Sequence, residues 1–341
     1  MKALILKKTT NLSENGSPLE LVDLPLPVPK EHEILVKVSV CGVCHTELDE
    51  IEGRTPPSKF PIVPGHQIVG RVEKAGGNAT RYRPGDRIGI AWINSACGRC
   101  RFCLGGQENL CDDFKATGRD ADGGYAEYTV APEAFAYAIP GIFTDSEAAP
   151  LLCAGAIGYR SLRLANMKDG DNLGLTGFGA SAHLVLKMVK HLYPRSAVYV
   201  FSRTESERQF ARELGAAWAG DTQETTPKNL HAIIDTTPAW KPVADAMKNL
   251  EKGGRLVINA IRKEDRDKDA LLSLEYPRDL WMEKEIKSVA NITRKDVEEF
   301  LRLAAEIPVR PEIQEYPLEK ANAALLELKE RKIRGAKVLK L

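Results

Sequence analysis

No stretch of this chain is apolar for long enough to cross a bilayer, and the run from Ala3 to Leu6 is too short for the core of a secretory leader. Nor is there a surplus of one charge: 48 Lys and Arg stand against 47 Asp and Glu, so no net field draws the protein to nucleic acid or to an anionic membrane. Internal repeats are absent as well, which sets aside solenoids and propellers. The one charge-dense stretch, Arg262 to Asp269, alternates in sign and reads as a solvated loop or helix face. These absences point to a cytoplasmic protein with a small-molecule substrate and neither a nucleic-acid nor a membrane partner.

What is present is an ordinary globular composition, 43% hydrophobic and 28% charged, in 341 residues, more than one hydrophobic core usually organises. Two domains are therefore expected. Lys2 to Leu6, Glu33 to Val40, Ile68 to Lys74 and Asp86 to Ile90 are short β-prone runs broken by Pro and Gly, as in a small barrel or sandwich. From about Cys153 to Glu285 strands alternate with helix-length amphipathic segments: Asn172 to Thr176, Ala182 to His191, Ala197 to Phe201, Glu205 to Leu214, then strands at Ala232 to Asp235 and Arg255 to Asn259. That alternation predicts a parallel, doubly wound sheet, so the fold class is α/β with a β-rich domain. Helices are expected at Arg294 to Ala305 and Leu318 to Lys332, and a last strand at Ala336 to Leu341 that returns to the N-terminal domain.

Seven cysteines are an odd number, and in a reducing compartment metal ligation or catalysis is a better use for them than disulfides. Cys97, Cys100 and Cys103 follow one another at separations of three, with Cys111 eight residues on. Four thiolates so spaced can wrap a tetrahedral zinc, with Gly98, Gly105 and Gly106 easing the knuckles. A bacterial-type iron–sulfur motif would place its fourth cysteine sooner and follow it with Pro, where this chain has Asp112.

Leu173 to Ala182 carries G-x-G-x-x-A between an expected strand and an expected helix, the loop being Gly177-Phe178-Gly179-Ala180-Ser181-Ala182. In that setting Gly177 permits the tight turn, Gly179 lets a pyrophosphate approach the backbone at the helix N-terminus, and Ala182 keeps helix and strand close. An NAD-specific site would end the next strand in Asp or Glu; here Phe201-Ser202-Arg203 stands instead. Ser202 and Arg203, helped by Arg208, suit the extra phosphate of NADP(H), while Glu205 or Glu207 swinging in would keep NAD(H). The balance favours NADP(H). Asp235, ending the following strand, reads equally well as a turn residue.

Taken together, Gly42-Val43-Cys44-His45-Thr46, Pro64-Gly65-His66, Gly70 to Gly76, Pro84-Gly85-Asp86-Arg87, the four-cysteine lobe and Leu152-Cys153-Ala154-Gly155 resemble the zinc-containing alcohol dehydrogenases of the medium-chain dehydrogenase/reductase family, over essentially the whole chain. The resemblance implies a GroES-like catalytic domain (1–152 with 286–341, its zinc lobe at 95–113) around a Rossmann domain (153–285), with the active site in the cleft. It implies two zinc ions per chain, a catalytic one on Cys44, His66 and Cys153, with Cys41 left out, and a structural one on Cys97, Cys100, Cys103 and Cys111. It makes Thr46 the start of a proton relay, Glu47 the residue that orients His66, Trp92 a wall of the substrate pocket, and His45 and Arg294 contacts to the pyrophosphate. Homodimers and homotetramers are the assemblies it suggests.

Two positions depart from the family. Gln67 stands where many members have Glu, and Asp49 where many have a relay His. Gln67 removes a negative charge near the metal and should make it more electrophilic; Asp49 either replaces the relay base or faces solvent. The substrate expected is a primary or secondary alcohol, or its aldehyde or ketone in reverse. A polyol, amino-alcohol or formaldehyde dehydrogenase of the same superfamily is the nearest alternative, a zinc-free quinone reductase a more distant one. A redox or zinc sensor without catalysis is the reading from a different class.

Overall fold

The computed structural model describes residues 1–307, 309–330 and 335–341. It divides into two compact units, Met1–Cys153 with Ile292–Leu341, and Ala154–Asn291. The β-rich unit and the doubly wound sheet expected from the sequence are both found.

In the first unit the chain begins with a hairpin of β1 (Lys2–Leu6) and β2 (Leu19–Asp23), then runs into the long β3 (Glu33–Val43). A short helix α1 (His45–Ile51) follows, then β4 (Ile68–Ala75) and β5 (Arg87–Ile90). A small two-stranded ribbon of β6 (Ile93–Ser95) and β7 (Lys115–Ala116) brackets the cysteine lobe and its one-turn helix α2 (Arg101–Leu104). The strands β8 (Tyr128–Pro132) and β9 (Ala136–Ala138) and the helix α3 (Asp145–Pro150) complete this half. Ile34, Val36, Ile68, Ile88, Ile90 and Tyr125 are almost wholly buried in the core, Ile34 with Val36 and Ile88 with Ile90 sharing a face because they stand two residues apart on β3 and β5.

The second unit starts with α4 (Ala156–Ala165) and builds one parallel sheet from β10 (Asn172–Thr176), β11 (Ala197–Phe201), β12 (Trp218–Gly220), β13 (Leu230–Asp235), β14 (Leu250–Ile258) and β15 (Glu285–Ser288). Its spatial order is β12-β11-β10-β13-β14-β15. The chain therefore winds outward from β10 in one direction and then crosses to β13 and winds in the other. That reversal leaves a crevice at the carboxyl ends of β10 and β13, where such sheets bind ligands. The helices α5 (Ala180–Leu192), α6 (Glu205–Glu213) and α7 (Lys241–Met247) connect the strands, and α5 buries Leu184, Val185, Leu186, Met188 and Val189.

The chain then re-enters the first unit through α8 (Arg294–Glu306), β16 (Ile313–Pro317), α9 (Ala321–Lys329) and β17 (Ala336–Lys340). The helix expected from Leu318 opens as a 3-10 turn, Leu318–Lys320, before α9 begins, and residues 331 and 332 of that expected span lie outside the described residues. Strand β17 pairs antiparallel with β3, Lys337 opposite Val43 and Leu339 opposite Cys41. The last strand thus buttresses the residues that lead into α1. Among the described residues no helix is long and apolar enough to cross a membrane.

Candidate metal centres and dinucleotide site

Local backbone geometry builds the four-cysteine lobe. Cys97 leaves β6, Cys100 caps the N-terminus of α2, Cys103 lies within that turn, and Cys111 ends the 3-10 turn Glu108–Leu110. The amide of Cys100 donates to Cys97 Sγ at 3.3 Å and that of Cys103 to Cys100 Sγ at 3.5 Å, so each knuckle presents its sulfur before any ion is bound. All four Sγ atoms lie within 4.8 Å of one another, with Cys97 and Cys103 sulfurs 3.9 Å apart. Zinc–sulfur bonds of ~2.3 Å in a tetrahedron put sulfurs ~3.8 Å apart, so the donor set fits zinc. Backbone N–H groups of Arg99 and Cys100 lower the Cys97 thiol to about 6, favouring thiolate, while burial pushes Cys103 up to about 12.

The second constellation is assembled from distant elements. Cys44 caps α1, His66 precedes β4, and Cys153 sits in the π-helical turn Leu151–Gly155; their donor atoms also lie within 4.8 Å of one another. Cys44 Sγ and His66 Nε2 are 3.7 Å apart. Behind His66, its Nδ1 meets Glu47 Oε1 at 2.6 Å, with both side chains almost fully buried. Glu47 also accepts from the Cys44 amide at 2.8 Å, closing a capping box that ties the helix start to the imidazole. Burial works against charge on His66, but Glu47 and Cys44 outweigh it and raise its pKa well above the usual value. The hydrogen bond with Cys153, then burial and Glu47, raise the Cys44 thiol. Cys41 is outside this group, its sulfur packed near Gly65 and Gly124 and its pKa raised by burial. Two thiols and an oriented imidazole are a donor set for zinc with a fourth position left over.

Around this trio, Thr46 sends its amide to Cys44 Sγ at 3.4 Å, and its hydroxyl has no partner among the described residues. Asp49 does not face solvent: it is 6% exposed, and Arg54 Nε reaches its carboxylate at 2.5 Å. Gln67 is buried against Gly42, its amide oxygen 2.5 Å from where a Cβ on that glycine would stand. Trp92 is 6% exposed, packs on Phe114 at 5.3 Å between ring centres and lies under the Arg119 guanidinium at 5.4 Å. The ion pair that holds Asp49 had no signal in the sequence, because nothing in the local pattern singles out Arg54.

In the second unit, Gly177 has φ 77°, as a tight turn before α5 requires, and its amide donates to Phe201 O at 2.8 Å. Gly179 caps α5 without any side-chain bond, and the space where its Cβ would be is open. A thirteen-residue helix therefore presents unsatisfied N–H groups to free space, which suits a pyrophosphate. Phe178 is buried against Phe210, and Ala182 is fully buried; Ser181 Oγ accepts from Asn259 Nδ2 at 3.3 Å. Ala180 is the first residue of the helix.

At the end of β11 the arrangement is mixed. Arg203 is exposed and has no partner among the described residues. Ser202 is buried and donates its hydroxyl to Glu207. Arg208 is already engaged, by Ser202 O at 2.8 Å, Glu205 at 2.9 Å and Asp221 at 3.5 Å. In the first unit His45 is exposed, whereas Arg294 bonds Glu108 at 3.0 Å and lies over Phe135 at 5.0 Å. The expectation of a solvated Arg262 to Asp269 stretch fails at Lys263, whose side chain is only 7% exposed because Asp235 draws it inward. Asp235 is not a mere turn residue: it is fully buried, and Thr176 and Thr237 hydroxyls donate to it.

Compared with known proteins, residues 30–141 match the alcohol dehydrogenase GroES-like domain family. A probable alcohol dehydrogenase of Mycobacterium tuberculosis is 42% identical over 94% of this chain and 92% of its own length. An alcohol dehydrogenase of Geobacillus stearothermophilus is 33% identical over 98% and 99%. Among solved structures, a cobalt- and zinc-bound thermostable alcohol dehydrogenase of Pyrobaculum aerophilum superposes with a TM-score of 0.87 at 25% identity, covering 100% of this chain and 99% of that one.

Proposed function

Because the chain belongs to the alcohol dehydrogenase family, we propose that it oxidises a primary or secondary alcohol to the carbonyl with Cys44, His66 and Cys153 as catalytic zinc ligands and NADP(H) as preferred cofactor. In that reaction the substrate carbon gives a hydride to NAD(P)⁺ and the hydroxyl releases a proton. Bound by the trio, zinc supplies Lewis acidity at an open fourth position. The observation that carries the reading is the convergence of the three donor atoms with Glu47 fixed on the far nitrogen of His66.

The chain's own residues do the rest. Glu47 keeps the imidazole in one orientation, with Nε2 toward the thiols. Thr46, two residues from Cys44 and with its hydroxyl unbonded among the described residues, accepts the substrate's proton while passing its own on toward solvent, so it relays the proton and does not keep it. Asp49 stands three residues further along α1, but its carboxylate is held by Arg54, so it serves the relay only by releasing that partner. Gln67 contributes no charge beside the trio. The buried Trp92 offers an apolar wall to the substrate's carbon skeleton.

The four-cysteine lobe takes the second zinc as a structural site, giving two per chain. The choice of NADP(H) is supported by the unpartnered Arg203 beside Ser202; Glu207, which holds the Ser202 hydroxyl, must yield to the phosphate. His45 and Arg294 remain candidate pyrophosphate contacts, the latter after leaving Glu108. A homodimer is supported by β15, an edge strand exposed along its length, with Trp281 and Leu272 exposed in the same unit. A reducing, cytoplasmic setting is supported by the seven unbridged cysteines.

One experiment tests the whole reading: steady-state oxidation of aliphatic and aromatic alcohols with NAD and with NADP, before and after chelation, alongside zinc content. Expected are two zinc ions per chain, a lower KM for NADP, and activity lost on chelation and restored by zinc. Activity that survives complete removal of zinc would overturn the reading.

A further inference from the structure

Lys263 lies in the loop beyond β14, within a stretch whose alternating charge suggested a solvated surface, yet its ammonium is almost fully buried at the carboxyl end of the sheet. It bonds the Asp235 carboxylate, the last residue of β13, and donates to the backbone carbonyls of Thr237 at 2.8 Å and Ala239 at 2.9 Å. Asp235 in turn accepts from the hydroxyl of Thr176, the last residue of β10, at 2.5 Å and from that of Thr237 at 2.8 Å. One buried cation thus ties the ends of β10 and β13 and the loop that leaves β13.

The place matters, because β10 and β13 flank the point at which strand order reverses. The loop held by Lys263 also touches the dinucleotide loop itself. Thr236 donates through its amide and hydroxyl to Thr176 O at 3.0 and 2.9 Å, and its Oγ1 lies 2.9 Å from where a Cβ on Gly177 would stand. Residues 236–239 are therefore the wall against which the Gly177 turn is set. Two of that wall's carbonyls look to one ammonium for a partner.

We infer that Lys263 is a positioning residue for the dinucleotide: it fixes the loop 236–239 against Gly177 so that the α5 N-terminus meets the cofactor in a preorganised shape. The inference rests on the second unit being the NAD(P) site. It assigns Lys263 no contact with the cofactor and no part in hydride or proton transfer. Removing it should loosen the cofactor cradle while leaving chemistry in the saturated enzyme intact.

Lys263→Met tests this, together with the double variant Lys263→Met with Asp235→Leu. The double variant removes the buried charge left behind by the single one, so it separates positioning from charge compensation. Cofactor Kd is read from the fluorescence of bound NAD(P)H, thermal stability from the melting curve, and KM and kcat from alcohol oxidation. The expected result is a Kd and cofactor KM raised about tenfold in both variants, with kcat within twofold and the alcohol KM unchanged at saturating cofactor, even where the double variant recovers the melting temperature. Wild-type cofactor affinity in the double variant would overturn the inference, as would a loss of kcat without a change in Kd. Should a methionine variant fail to fold, Lys263→Gln, which keeps a donor to one carbonyl, is read on the same scale and should lie between. A wild-type protein that binds neither NADH nor NADPH would instead overturn the function proposed above, before any variant is made.

Discussion

Cys97, Cys100, Cys103 and Cys111 come from one short segment whose own amides point at its sulfurs, whereas Cys44, His66 and Cys153 come from three elements far apart in the chain. The lobe needs little beyond its knuckles. The trio needs β3 and β4 in register to bring α1 to His66, and a π-helical turn to present Cys153. Glu47 then adds what the lobe has no counterpart for, a buried carboxylate that aims one ligand. A closed set of four donors suits structure, while three donors with an oriented imidazole leave room for chemistry.

The sharpest way to break this contrast is to remove one ligand from each site. Cys44→Ser should lower kcat by roughly 10³-fold or more, the several kcal/mol expected of a Lewis acid, and leave one zinc per chain with a near-normal melting curve. Cys100→Ser should also leave one zinc, but cost stability, on the order of 4 kcal/mol, with kcat of the folded fraction within a few-fold. Zinc analysis, calorimetry and kinetics on the two variants decide it; equal losses of activity would erase the distinction.

A smaller effect probes the carboxylate. Glu47→Gln should weaken zinc at the trio by about 10- to 100-fold, with the lobe's affinity unchanged, as competition with a chelator can measure. Loss from both sites together would show that Glu47 merely supports the fold. Smallest is Asp49→Asn. With the carboxylate held by Arg54, the pH profile of alcohol oxidation should move by less than about half a unit, and a larger displacement would make Asp49 a true relay base.

The same contrast explains what could be read in advance. The lobe was visible from spacing alone, because its geometry is local. Strands such as Asn172–Thr176 and Ala197–Phe201 were equally clear, being short apolar runs that alternate with helix-length amphipathic segments. The trio became visible only through resemblance to a family, since no spacing joins Cys44 to Cys153. What stayed hidden were partners fixed by tertiary contact: Arg54 on Asp49, Glu108 on Arg294, Asp221 on Arg208 and Lys263 on Asp235. A charged residue in an alternating stretch looks solvated until a buried acid claims it, and sequence period carries no record of that.

The pairing of β17 with β3 has a consequence for how the protein is made. The strand that buttresses the entry to α1 emerges from the ribosome about 290 residues after its partner, an interval of roughly 15 to 60 s at ordinary rates of elongation. Over that interval the lobe and the parallel sheet can already fold, since neither depends on β17. With zinc at both sites as proposed, loading would have an order in time: the lobe could be filled on the nascent chain, and the trio would be secured only once β17 has been made.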